Sequence, residues 1–288
     1  MEKILFKMKF FDWNSKYSME VKMEDIGIYI NSFDGCSDIW PVFFKIWDTY
    51  WTECPYQMYL TSNYKNYNYK NLKVLKVGKE KTWLDRTIKT LEMVSQKYII
   101  FFLEDYFISK KINLNEIEEI CKHMHHKNLF YYQLSNRGDL KKNDKHIKAK
   151  KSLMYPISLQ LSIWDRIKLI EILKNMDSIG NYTSPWDFER YFVEKYKNTT
   201  GPLLGVEYDT RDLMGYKNGV LQGKWIRATI KFYKKRNIKI DCSQREIMSL
   251  KETFYYNVKK YFSLKLSGKS KVIMKMIMKK FGYTFMTD

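Results

Sequence analysis

"KYIIFFLEDYFIS" (97–109) decides how this chain folds. Tyr98 to Leu103 is a near-continuous apolar run of strand length, the kind covered on both faces in a parallel sheet. It runs straight into Glu104 and Asp105, after which apolar residues resume. Two adjacent carboxylates at the end of a buried strand are costly unless a partner offsets them. A solvated turn or an ion pair with a nearby lysine is one solution. A divalent cation is the other, because hard oxygen donors hold Mg²⁺ or Mn²⁺, and such an ion stabilises a departing diphosphate.

Working outward, the chain alternates between strand and helix patterns. "IGIYINSF" (26–33), "QMYLTSN" (57–63) and "LKVLKV" (72–77) read as strands. "SDIWPVFFKIWDTYW" (37–51) reads as a helix, with Ser37 or Asp38 as cap and Pro41 in its first turn. In "WLDRTIKTLEMV" (83–94), Leu84, Ile88, Leu91 and Val94 fall at helical spacing. Such alternation predicts an α/β domain with right-handed crossovers. Ligands of these sheets gather at the carboxyl ends of the strands, which places Ser32, Phe33, Asp34, Asn63, Glu104 and Asp105 on one rim.

The second half is more mixed. Helices are expected over 112–126, 162–176, 184–197 and 223–236, with strands at 129–135 and 153–161. Ser184 caps the third of these helices, with Pro185 at its first position. Residues 136–151 read as a polar loop carrying six lysines. The expected division is an N-terminal extension (1–24), a catalytic domain (25–240) and a basic helical C-terminal extension (241–288).

Lys and Arg number 51 against 32 Asp and Glu, a net charge of +19. Either an anionic partner or a solvated lysine-rich surface accounts for that excess. The partner classes are nucleic acid, an anionic membrane surface and a phosphate-bearing substrate. The charge is spread over 141–151, 231–236 and 259–280 without a recognisable motif, so no nucleic acid is expected. Cys36, Cys54, Cys121 and Cys242 form no CxxC pair and read as reduced thiols of a cytoplasmic protein. "MEKILFKMKFF" (1–11) lacks the apolar core of a signal peptide, and no 18-residue uncharged apolar run occurs. "VKKYFSLKLSGKSKVIMKMIMKKFGY" (258–283) is basic and rich in Met, Ile and Phe. It reads as a peripheral contact with the inner face of the cell membrane, or as a core-packing helix with a lysine-rich outer face.

Two further clusters carry candidate chemistry. In "SPWDFE" (184–189), Asp187 and Glu189 sit in the first turn of a helix, where carboxylates meet the helix dipole favourably. Trp186 and Phe188 beside them offer aromatic faces. "HMHH" (123–126) spreads His123, His125 and His126 over different helix faces, so one metal ion cannot take all three, and a helix C-terminus favours histidine on its own.

A buried strand, an acidic pair and an aromatic residue in that order resemble the "DxD" region of GT-A glycosyltransferases. The ordered set "SFDGCSDIWPVFFKIW", "CPYQMYLTSN", "TWLDRTIKTLEMV", "IIFFLEDYFI", "SLQLSIW", "SPWDFE" and "NGVLQGKW" is similar to bacterial glycosyltransferases of capsule, lipopolysaccharide and related surface-glycan clusters. The likeness spans roughly residues 25–230. It implies a GT-A-like (Rossmann-like) α/β domain around a mostly parallel mixed sheet. It also implies a nucleotide-sugar donor, UDP-linked, and a glycan or lipid-linked glycan acceptor. Leu103 stands where the family has its first Asp, which leaves Asp105 as the metal ligand for Mn²⁺ or Mg²⁺ and Glu104 as a partial substitute. By the same resemblance Ser32, Phe33 and Asp34 meet the nucleotide, Asn63 lines the base pocket and Arg86 meets the diphosphate, unless Arg86 pairs with Asp85 or Glu104. Trp186 lies against sugar, and Asp187 is the first choice for the general base of an inverting transfer, with Glu189 second. A basic nucleic-acid-binding protein and an inactive scaffold of this family are the alternatives.

Overall fold

The computed structural model describes residues 21–135, 140, 142–153 and 155–265, with the side chains of the last helix described through 258. Its first half contains β1 (Ile26–Asn31), α1 (Trp40–Tyr50), β2 (Gln57–Ser62), β3 (Leu72–Lys76), α2 (Trp83–Glu92), β4 (Tyr98–Leu103), β5 (Tyr106–Phe107) and α3 (Leu114–Lys127). The second half adds β6 (Tyr131–Gln133), β7 (Ile147–Lys150), β8 (Ser162–Asp165), α4 (Arg166–Ile179), α5 (Pro185–Lys195) and β9 (Pro202–Tyr208). Two short hairpin pieces follow, β10 (Lys217–Asn218) and the pair β11 (Val220–Leu221) and β12 (Lys224–Trp225), then α6 (Arg227–Lys234) and α7 (Leu250–Lys265).

Eight strands form one mixed sheet in the order β3-β2-β1-β4-β8-β6-β9-β7. The β3-β2-β1-β4 half is entirely parallel. Beyond it β8 runs antiparallel to β4 and β6, β9 is parallel to β6, and β7 closes the edge antiparallel to β9. Side chains alternate across the strands and feed two cores. Ile28, Ile30, Ile100, Phe102 and Tyr132 pack with α1, α3 and α6, whereas Tyr29, Ile99, Phe101, Tyr131 and Trp164 pack with α2, α4 and α5. This is why β4 reads as unbroken apolar sequence: both of its faces are covered.

The parallel register, Asn31 opposite Leu103 and Ile30 opposite Leu60, brings the carboxyl ends of β1, β2 and β4 to one rim. Hydrogen bonds from α2 hold β1 there. Asn31 accepts from the Trp83 indole at 2.9 Å and donates to Thr87 at 2.9 Å, and the Tyr29 and Thr90 hydroxyls meet at 2.6 Å.

Five expectations need correction. Helix α1 starts at Trp40 after Ile39, because residues 34–36 form a 3₁₀ turn first and Asp38 is engaged by Arg245 instead of capping. Residues 162–165 are a strand, not a helix start; Ile163 and Trp164 enter opposite cores, and Asp165 then caps α4 by accepting from the Lys168 amide. The described residues of 153–161 form no strand, since Tyr155 adopts φ +56° just before Pro156. The polar loop expected over 136–151 contains β7, where Ala149 is buried and the flanking lysines point outward. The helix expected from 223 begins only at Arg227, after the β11–β12 hairpin. No helix among the described residues is long and apolar enough to cross a membrane. The basic segment beyond 265, like the extension before 21, lies outside the described residues.

Candidate functional site

The turn after β1 is built around Asp34. Its carboxylate accepts from the Ser62 hydroxyl at 2.7 Å and from the Asn63 and Tyr64 amides at 3.0 and 3.1 Å, and the Lys65 amide lies at 3.3 Å. Partial burial pushes this carboxyl up, but those hydrogen bonds together outweigh it and hold it below the usual carboxylate range. Asp34 therefore ties β1 to β2. Asn63 braces the same turn, accepting from the Asp34 amide and donating to Gly78 and Glu80. Ser32 is buried, its hydroxyl accepting from the Trp40 indole at 2.8 Å. Of these rim residues Phe33 keeps a free face, and the Arg86 guanidinium lies 5.3 Å from its ring centroid. Gly35 follows because any Cβ there would collide with the Phe33 ring at 2.4 Å.

Arg86 is buried and pairs with Glu80, not with Asp85 or Glu104. It nonetheless stands close enough to Glu104 to stabilise its charged form. A second arginine, Arg245, makes a bidentate pair with Asp38 at 2.8 and 2.9 Å and donates to the Gly35 and Gly223 carbonyls. Thus both cations nearest the acidic pair have their own carboxylates. Among the described residues neither Glu104 nor Asp105 has a cationic side chain within 4.0 Å.

Glu104 and Asp105 are half-buried where β4 ends. Burial raises the Glu104 carboxyl, opposed by the Cys36 thiol that donates to it and by Arg86 and Arg245. Burial and the adjacent Glu104 push Asp105 up to about 7. Its carbonyl accepts from the Gly219 amide at 2.7 Å, and its carboxylate accepts from the Val220 amide at 3.4 Å. The donor set is oxygen-rich, adjacent, and short of positive charge, which fits a hard divalent cation.

The β5–β10 pairing places Tyr106 and Tyr216 edge to face beside Asp105, with centroids 4.7 Å apart. Burial first raises both phenols, followed at Tyr106 by the Tyr216 phenol and at Tyr216 by Asp105; the charges of Asp105 and Glu189 act upward on each. Glu189 also acts on Tyr155.

Helix α5 separates the two acids of "SPWDFE". Asp187 completes a capping box, accepting from the Thr183 amide, the Ser184 amide and the Ser184 hydroxyl, each at 2.9 Å, and it pairs with Arg190. Burial raises its carboxyl, but the bonds from Thr183 and Ser184 outweigh this and leave it below the usual range. Glu189 is half-buried, and its charge acts on Tyr106 and Tyr216, the two phenols on which Asp105 also acts. Trp186 is 59% exposed. The structure gives Asp187 the work of holding the helix start, while the charge of Glu189 acts on the tyrosine pair beside Asp105.

Beside the rim opens a cleft of about 460 Å³ lined by Asp34, Gly35, Asp38, Lys65, Lys224 and Arg245, with a second of about 360 Å³ continuing past Lys45 and Lys239. Arg245, Tyr216 and the Gly219–Val220 amides were not singled out from sequence. The acid-to-amide contact of Asp105 and Val220 spans 115 residues and the Arg245–Asp38 pair 207, so no local pattern announces them. Of the "HMHH" histidines, His123 meets Glu207 and His146, whereas His125 lies against Lys97.

No protein-family model matches the chain, and no curated protein matches it. Among solved structures, a fragment of S. aureus TarS aligns with 84% of this chain and 75% of its own length at 14% identity and a TM-score of 0.43. A cytidylyltransferase from Leptospira borgpetersenii aligns over 66% of this chain and 78% of its own (10% identity, TM-score 0.40). An active-site mutant of LgtC covers 64% and 72% (9% identity, TM-score 0.37). At these scores the reading of the site rests on its own residues.

Proposed function

We propose that the chain is a GT-A-like glycosyltransferase that moves a sugar from a nucleotide-linked donor to a hydroxyl of a glycan or lipid-linked acceptor. One observation carries the reading. Glu104 and Asp105, two half-buried carboxylates without a cationic partner among the described residues, stand at the strand-end rim. Asp105, with Glu104 beside it, would hold a divalent cation, which would supply positive charge to a diphosphate leaving group. Phe33, 39% exposed, offers a ring at the same rim to the nucleotide. Asp34 and Asn63 act indirectly, by fixing the turn that carries Phe33. Arg86 is a positioning residue, held by Glu80 below the Phe33 ring.

The transfer itself is an in-line displacement. The acceptor oxygen bonds to the anomeric carbon, the bond from that carbon to the phosphate oxygen breaks, and the electron pair leaves with the nucleotide diphosphate. Glu189 takes the acceptor proton, a role for which it is better placed than the capping Asp187. With the base opposite the leaving group, the anomeric centre inverts. Trp186 presents an open aromatic face to the acceptor side. UDP as the nucleotide, Mn²⁺ or Mg²⁺ as the ion, and bacterial surface polysaccharide as the product complete the proposal. So does an anionic membrane surface met by the C-terminal segment. The catalytic unit runs to about residue 249, because Trp225 exchanges backbone hydrogen bonds with Glu246 and Met248 and Arg245 is locked to Asp38.

A thermal-shift screen of UDP-, GDP- and CMP-linked sugars, with and without Mn²⁺, tests this. Stabilisation by one nucleotide class that depends on the cation is expected, and its size follows from occupancy. No shift with any donor, at concentrations well above typical substrate levels, overturns it.

A further inference from the structure

The opposite half of the sheet carries a second cluster that the proposed transfer does not use. His123 projects from α3, Glu207 lies on β9 and is 7% exposed, and His146 immediately precedes β7. Nε2 of His123 lies 2.7 Å from Oε2 of Glu207, and Nδ1 of His146 lies 3.8 Å from the same oxygen. The two imidazoles are 3.8 Å apart between centroids. One donor atom from each of the three side chains falls within 4.8 Å of the others.

Two features set this apart from an ordinary buried hydrogen bond. A single carboxylate needs one imidazole to satisfy it, yet here two rings converge on Glu207. The His146 backbone and ring are both fixed by Tyr132, since the His146 amide donates to the Tyr132 hydroxyl at 3.2 Å and that hydroxyl lies 3.1 Å from Nδ1, the same nitrogen that stands 3.8 Å from Glu207, so an ion bound there replaces the Tyr132 contact. Tyr132 sits directly opposite Glu207 in the β6–β9 register. Neighbouring strands thus bring Tyr132 and Glu207 to the same imidazole.

Donor chemistry selects the ion. Bond lengths of about 2.0–2.2 Å to nitrogen and oxygen in tetrahedral geometry separate the donor atoms by roughly 3.3–3.6 Å. The 2.7 and 3.8 Å spacings lie on either side of that range, within reach of small side-chain rotations. Two imidazoles and one carboxylate suit a borderline ion such as Zn²⁺, whereas Mg²⁺ and Ca²⁺ prefer all-oxygen shells. Both imidazoles remain partly exposed, His123 at 21% and His146 at 31% of the side chain, so a water can complete the shell.

We infer that His123, His146 and Glu207 form a Zn²⁺ site that clips the start of β7 to α3 and β9. It is separate from the cation site at Asp105: β9 stands three strands from β4 in the sheet, and the donor sets differ. Occupancy fastens the lysine-rich approach to β7 onto the body of the domain.

The test uses tag-free, full-length protein stripped of metal, at pH 7.5. Zinc uptake is read by competition with a chromophoric chelator, and Co²⁺ substitution by its visible absorption. One equivalent of Zn²⁺ per chain is expected, with a tetrahedral Co²⁺ spectrum and a thermal midpoint that rises with zinc but not with magnesium. His146→Ala is expected to weaken zinc at least tenfold, and Glu207→Gln to do the same. His126→Ala and Asp105→Asn are expected to bind as the wild type does. Circular dichroism establishes folding, and His146→Ala, lying in a loop, keeps the test open if Glu207→Gln does not fold. Wild-type protein that takes up no zinc, or His146→Ala protein that takes up as much as wild type, overturns the inference. Loss of zinc in Asp105→Asn overturns the separateness of the two sites.

Discussion

The two halves of the sheet treat buried acids in opposite ways. In the β8-β6-β9-β7 half, each acid has a protein partner. Asp209, fully buried, meets Arg211 at 2.7 Å, Arg211 also reaches Glu116 at 2.8 Å, and Glu207 meets His123. In the β3-β2-β1-β4 half, Glu104 and Asp105 sit at the rim while Arg86 and Arg245 are each committed elsewhere, to Glu80 and Asp38. A paired acid serves stability, because removing its partner strands a buried charge. An adjacent, under-partnered pair is costly to the empty fold and is offset by what binds there.

The sharpest break between the halves is expected at Glu189. Glu189→Gln is expected to lower turnover of the donor found by the screen by about 10²–10⁴-fold, the range of a lost general base, with the thermal midpoint nearly unchanged. Turnover at the wild-type rate removes Glu189 from the mechanism. On the structural side, Arg211→Ala leaves Asp209 buried and unpaired, and a loss of roughly 3 kcal/mol is expected in denaturant unfolding. A loss under 0.5 kcal/mol would mean that the acids of this half are not structural. Asp187→Ala removes the capping carboxylate, and about 1 kcal/mol of stability with intact chemistry is the expected result.

The smallest effect is a pH dependence. Burial and Glu104 lift Asp105 from 3.8 to about 7, so the folded state holds this proton more tightly than the unfolded chain does. In chelator, stability from this group is present at low pH and declines as pH rises toward 7. Between pH 5 and 8 the wild-type midpoint is expected to fall by about 2–4 °C more than that of Asp105→Asn, the scale of about 1 kcal/mol. Parallel curves for the two proteins would show that Asp105 is not under strain in the empty site.

The parallel half was largely legible in sequence. β1, β2 and β4 are apolar runs that end in polar residues, α2 carries an apolar stripe, and Ser184-Pro185 announces α5. The other half hides its strands. β8 is only four residues long and merges into the capping signal of Asp165. β7 places Ala149 inward between lysines, so composition reads it as a loop. β9 contains Gly205 at φ +74°, where a Cβ would strike the Phe130 ring at 2.7 Å, and it buries Glu207, which breaks the apolar pattern. At the site, local sequence pointed to Asp105 and to the 187–189 pair. That Asp187 is taken up by the helix cap, and that Glu189 and Asp105 act on the same Tyr106–Tyr216 pair, is not legible locally, because the β5–β10 pairing joins distant segments. Arg86 was visible as a helix arginine, but its partner Glu80 lies in the preceding loop, where no spacing rule applies.

The central claim, that Asp105 holds a cation for a nucleotide diphosphate, is tested most directly by calorimetric titration of UDP into the full chain. Wild-type protein and Asp105→Asn are each titrated with and without Mn²⁺ at pH 8. The account predicts that wild-type binding depends on Mn²⁺ and that Asp105→Asn, still folded, binds at least tenfold more weakly with Mn²⁺ present and gains nothing from the ion. Equal, Mn²⁺-dependent affinity in the two proteins would contradict it.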